Sequence, residues 1–231
     1  MNGWWVSEYM EVFANGKIIL TSWVVWVVVS ITLHELAHGW TAIRCGDDIP
    51  LRAGHMTFNP LVHIPPMAWI MFALFGFTWG LMPVQPANFR GRYDEAKVAF
   101  AGPLMNLLLW ILCVVLDAVW LKVGPGVGGA LELNLHTFFY VGAMINLMGF
   151  VFNLIPIPPL DGSKIVGDFF PRFNTFWTGN AAMWAGLIFA FLLFTVVGSI
   201  AWGISRTIST LVIAILARAM GADWVDWRVL N

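Results

Sequence analysis

Apolar residues along this chain fall into long runs, neither alternating nor confined to one helical face, and the charges cluster between the runs. A bilayer core asks for roughly 20 apolar residues per helix, and charges placed there are costly. The first interval to approach that length runs from Ile18 to His34 and continues helically through HELAHGWTAI to Arg44. The second lies inside the charge-free stretch 53–89, with its apolar centre over 67–79. A third spans 98–116, between Lys97 and Asp117. The fourth covers 133–160, where Pro156, Pro158 and Pro159 must end the helix before Asp161 because each proline removes a backbone donor. A fifth covers 173–205, closed by Arg206, and the remaining apolar piece, 207–217, predicts a short interfacial or half-crossing helix. Between the first two intervals, PLRAGHMTFNPLVH at 50–63 alternates briefly and carries Asn-Pro punctuation, which predicts a small strand or hairpin. The pattern therefore predicts an all-α integral membrane protein. Its expected form is a polytopic helical bundle of about five to six membrane segments, with a small re-entrant or β element at the membrane edge. With no linker, repeat or low-complexity tract, residues 1–231 are expected to form a single domain, with a core over 18–170 and C-terminal helices over 173–221.

Composition narrows the function classes. Apolar residues make up 59% of the 231 and charged residues 11%, against about 25% charged in soluble domains, which excludes a water-soluble fold. A net charge of −1 supplies no basic surface for nucleic acid. Two cysteines are too few for a disulfide framework. Among the 14 tryptophans, Trp4, Trp5, Trp224 and Trp227 are expected to anchor the membrane boundary. The leader carries Glu8 and Glu11 where a signal peptide needs positive charge, so the first interval is expected to stay in the mature chain. Arg44 and Arg52 precede the second interval, and Arg90, Arg92 and Lys97 follow it, which predicts that both flanks are cytoplasmic and that this interval re-enters. Lys164 and Arg172 would then lie on the same side as Asp161.

The chemistry begins at His34-Glu35-Leu36-Ala37-His38. At i and i+4 on a helix both imidazoles leave one face, a spacing that lets them hold one Zn²⁺, with Glu35 placed to take a proton from water as general base. The bland alternative is a His/Glu cluster satisfied by water at a helix end. A hydrolytic site needs a third protein ligand, and His55, His63, Glu95, Glu132, His136, Asp117 and Asp161 are all candidates. Asp161 follows the proline run on backbone expected to be non-helical, or else it caps a helix over 162–170. Cys45, seven residues beyond His38, is not expected to be a ligand, and Cys113 is expected to be packing.

HELAH on a long apolar helix, FNPLVHI at 58–64, PVQPANFR at 83–90, AGPLMN at 101–106 and FNLIPIPPLDGSK at 152–164 together resemble the site-2 protease family of intramembrane zinc metalloproteases. The resemblance covers about residues 18–170, and is nearest to short members without a PDZ insert or nucleotide-sensing domain. It implies that His34, His38 and Asp161 ligate one Zn²⁺ per chain and that Glu35 is the catalytic base. By the same resemblance Asn106 and Asn153 lie near the site, where an amide can polarise a scissile carbonyl or tie helices together. His63 is a further candidate donor. Where short members tend to have Asp after the His-Ile pair, this chain has Pro65-Pro66. Asn59-Pro60 is expected to turn and Gly102-Pro103 to pack helices closely.

The expected activity is cleavage of transmembrane segments of protein substrates within the lipid bilayer, on its cytoplasmic side. A CAAX-type protease would instead require Glu132 or Glu95 as ligand. A metal-binding protein or transporter without proteolysis has no use for Glu35. No G-x-S-x-G supports a serine protease.

Overall fold

The computed structural model describes residues 16–176 and 180–222, together with Val6. The helices are α1 (Gly16–Cys45), α2 (Ile49–Arg52), α3 (Pro60–His63), α4 (Pro66–Phe75), α5 (Asp94–Val123), α6 (Gly129–Asn153), α7 (Asp161–Phe169), α8 (Pro171–Phe176) and α9 (Asn180–Ala219). Four of them are long and apolar enough to cross a membrane: α1, α5, α6 and the 200–219 portion of α9. The protein is an all-helical, multi-pass integral membrane protein.

The β-branched run WVVWVVVSI in α1 would suit a strand in water. In hydrocarbon only a helix satisfies every backbone group within the segment, and lipid overrides propensity. The helices meet through small residues and a few polar ties, as expected where lipid removes the hydrophobic drive between them. Trp26 of α1 lies against Gly142 of α6, where any Cβ would clash with the indole, and its Nε1–H donates to Phe138 O at 2.8 Å. Trp110 of α5 donates to Ser209 Oγ of α9 at 3.1 Å, and Tyr140 of α6 bonds Thr210 at 2.7 Å. Cys113 is fully buried in this core among Val114, Ala118, Ala143 and Ile213.

Three expectations are corrected. Residues 50–63 hold no strand; they form the helical turns α2 and α3. Pro50 and Pro60 each stand at a helix start, where a missing N–H costs nothing, and Asn59 caps α3 by accepting Leu61 N–H at 3.1 Å. Pro65-Pro66 opens α4 in the same way. Helix α4 has 10 residues, about 15 Å of rise against a core of about 30 Å, too short to cross. The piece 207–217 is no separate interfacial helix: α9 runs unbroken through Arg206, which is exposed on the helix surface. Asp161 stands at the first position of α7 and not on irregular backbone. The four boundary tryptophans lie outside the described residues.

Candidate metal centre

His34 and His38 sit on the inner face of α1 with ring centroids 4.6 Å apart. Asp161 reaches them from the start of α7, and the three side chains offer ligand atoms all within 4.8 Å of one another. Asp161 Oδ2 lies 3.1 Å from His34 Nε2 and 3.3 Å from His38 Nε2, while the two Nε2 atoms are 3.0 Å apart. All three residues and Glu35 are at least 92% buried.

The protonation of this cluster follows from a hydrogen-bond chain that starts at a backbone carbonyl. Asn146 Nδ2 donates to Gly142 O at 2.9 Å, which turns Asn146 Oδ1 toward Asn106. Asn106 Nδ2 donates to that oxygen at 3.1 Å, which turns Asn106 Oδ1 toward His34. His34 Nδ1, 2.6 Å away, must therefore carry the proton. His38 Nδ1–H donates likewise to Val98 O at 2.6 Å. With Nδ1 engaged in this way, each ring turns Nε2 toward the other and toward a carboxylate oxygen. Two imidazole nitrogens and one carboxylate oxygen within 4.8 Å of one another are a donor set that suits zinc. Space for the ion is kept by Gly102 of α5: a Cβ there would clash with the Nε2 atoms of both histidines.

Asp161 turns one carboxylate oxygen, Oδ2, toward both histidines. Its other oxygen, Oδ1, faces Lys164 Nζ at 3.4 Å. Helix α7 is docked at its far end by Asp168, whose Oδ2 accepts Ala96 N–H at the start of α5 at 2.8 Å. Beside Glu35 runs the non-helical stretch 77–85; at Gly80 a Cβ would collide with the Glu35 carboxylate.

The remaining candidates are bonded elsewhere. Asn153 donates to Gly149 O, one turn back in its own helix, at 3.0 Å. His63 is fully buried with Nε2 2.7 Å from Thr57 O. Asp117 and His136 pair with each other at 2.7 Å. Asn146, Gly80 and Lys164 were not expected at the site, and Gly102 was expected only to pack helices closely. For Asn146 a signal existed, an amide in the middle of an apolar span; for the glycines there was none, since their role depends on what crosses them.

Comparison with known proteins agrees with this geometry. The family model of peptidase family M50 matches residues 117–196. YwhC of Bacillus subtilis, named as a candidate zinc metalloprotease, is 34% identical over 178 residues, covering 76% of this chain and 81% of its own. Rip2 of Mycolicibacterium smegmatis, similarly named, is 30% identical over 203 residues, covering 81% of this chain and 70% of its own. The zinc metalloprotease MJ0392 of Methanocaldococcus jannaschii is 24% identical over 157 residues, 65% of this chain and 37% of that one. No solved structure matches. With a cluster able to hold a metal ion inside a membrane bundle and relatives of this similarity over most of both chains, the protein belongs to peptidase family M50, the site-2 protease family of zinc metalloproteases.

Proposed function

We propose that the protein is an intramembrane endopeptidase in which His34, His38 and Asp161 hold one zinc ion and Glu35 is the general base, acting on transmembrane segments of other proteins. The observation that carries this reading is the convergence of three metal-ligand atoms beside a buried glutamate inside a bundle of membrane helices.

A zinc ion held there supplies a Lewis acid that polarises the scissile carbonyl and brings the pKa of water toward 7. Asn106 and Val98 O keep both imidazoles in the tautomer that turns Nε2 inward. Both polar ends of the Asn106 amide are bonded, so its part is to orient His34 and not to donate to substrate. Glu35 accepts the proton of the attacking water and passes it to the leaving amine. Burial of the site keeps bulk water and soluble peptides away. A substrate helix must unwind first, because its carbonyls are engaged in i→i−4 bonds, and the freed groups need partners in lipid. The stretch 77–85, passing Glu35 at Gly80, is placed to offer them. Helix-breaking Gly, Pro or Asn in the substrate lowers the cost of unwinding.

Arg44, Arg52, Arg90 and Arg92 gather at the end of α1 nearest the histidines; His38 lies six residues, about 9 Å, before Arg44. By the positive-inside rule that end is cytoplasmic. Arg90 N–H donates to Cys45 O at 3.1 Å, bringing the two flanks of α4 together and supporting a re-entrant passage.

The test is cleavage of a single-span substrate by the purified protein in vesicles, alongside Glu35→Gln. The expected result is cleavage by the wild type only, with zinc retained by both; full activity in Glu35→Gln would overturn the mechanism.

A further inference from the structure

Two residues beyond α1, Asp47 is fully buried outside the membrane-crossing segments. A buried carboxylate is costly unless its lone pairs are met, and here they are. Oδ2 accepts Gln85 N–H at 2.7 Å, and Oδ1 accepts Asn88 Nδ2 at 2.8 Å and Ile49 N–H at 3.2 Å. Burial would raise its pKa, but these hydrogen bonds and the charge of Arg52 lower it, so the group is ionised at neutral pH. One side chain thus joins the end of the metal-binding helix, the start of α2, and residues 85–88 after the stretch that passes Glu35.

That stretch has a second fixed point. Leu81 N–H donates to His63 O at 2.8 Å. Between the two anchors lie Met82, Pro83 and Val84; Met82 is buried with its thioether 3.1 Å from where a Cβ on Gly39 would stand, one residue past His38. Gly80, immediately before Leu81, lies against the Glu35 carboxylate so closely that it has no room for a side chain. A slip of one residue between these anchors would put Leu81 or Trp79 where Gly80 now stands. The register of 80–85 therefore decides how much space the carboxylate has.

We infer that Asp47 is a positioning residue for the reaction, acting through the Gln85 and Asn88 hydrogen bonds to hold Gly80 opposite Glu35. This rests on the proposed role of Glu35 as the base. Asp47 touches neither metal ligand nor substrate; its effect is on where the backbone of 80–85 stands. The bond to Asn88 also gives the inference a reversible test, because its direction can be exchanged.

The experiment uses the full-length protein in vesicles as wild type, Asp47→Asn, Asn88→Asp and the double exchange. Asp47→Asn sets donor against donor, and Asn88→Asp sets carboxylate against carboxylate. In the double variant the amide at 47 donates to the carboxylate at 88 and still accepts Gln85 N–H, and only the longer bond from Ile49 N–H is given up. Asn88 is exposed, so its variant does not disturb the core. Two readouts are taken: amide hydrogen exchange at Leu81 and Gln85, and kcat/KM on a single-span substrate, with zinc measured throughout. Each single variant is expected to speed exchange at both amides and to lower kcat/KM roughly 10- to 100-fold at unchanged zinc, as misplacement near an active group does. The double variant is expected to recover both. Unchanged exchange in the singles, faster exchange with undiminished cleavage, or a double variant no better than the worse single would each overturn the inference. A Glu35→Gln control as active as wild type would instead overturn the proposed base, while the exchange data still decide whether Asp47 tethers the stretch.

Discussion

Among the described residues two buried aspartates meet histidines, and the two places are not alike. His34 meets Asp161 at 3.1 Å and His136 meets Asp117 at 2.7 Å. Asp117 Oδ1 meets the Nδ1 of His136, so one proton between them serves both groups. At the other place Nδ1 of His34 is taken by Asn106, and the carboxylate faces Nε2, where a second imidazole also points. The shorter contact is a pair that ties α5 to α6. The longer one gathers a third ligand atom from His38. A His–Asp contact is thus not in itself a metal site; what makes one is a third donor together with a partner that takes the far nitrogen of the ring.

The comparison can be broken by substitution. Largest in effect, His34→Ala should abolish cleavage, a loss of roughly a thousandfold or more, since several kcal/mol of charge stabilisation leave with the metal and about 1.4 kcal/mol is tenfold. Glu35→Gln should lower turnover about 10²- to 10⁴-fold while zinc stays bound, which separates base from ligand. Asn106→Ala frees the His34 ring and should weaken zinc binding or activity about 10- to 100-fold, measured by competition with a chelator. Asp117→Asn keeps an acceptor for His136 and should leave zinc content and cleavage within about twofold of wild type, with a stability change of ~0.6–2 kcal/mol. An Asp117→Asn protein that loses metal would erase the distinction between the two pairs.

How far the sequence reached depended on how local each feature is. HELAH was legible because i, i+4 geometry belongs to one helix, and α1 holds it as expected. Asp161 was one of several third-ligand candidates until the resemblance chose it, because a contact between residues 34 and 161 has no local signature. Asp117 and His136 were both among those candidates, and neither sequence nor spacing says that they meet. The strand expected over 50–63 failed because proline helix starts at Pro50 and Pro60 mimic the punctuation around a strand. The break expected at Arg206 failed because a long side chain on an exposed face can run out along the helix, so one arginine need not end it. Gly102 was read only as a close-packing position, and the part of Gly80 and Gly102 at the site was not legible for a related reason: the demand on them comes from Glu35 and from the two histidines, which the fold brings from elsewhere.

The most direct measurement is zinc per chain in purified wild type, Asp161→Ala and Asp117→Ala, each confirmed folded by its thermal transition in detergent. The account predicts one zinc in wild type and in Asp117→Ala and a loss of stoichiometric zinc in Asp161→Ala. Equal stoichiometric zinc in wild type and Asp161→Ala would remove Asp161 from the metal centre and contradict the reading of the site.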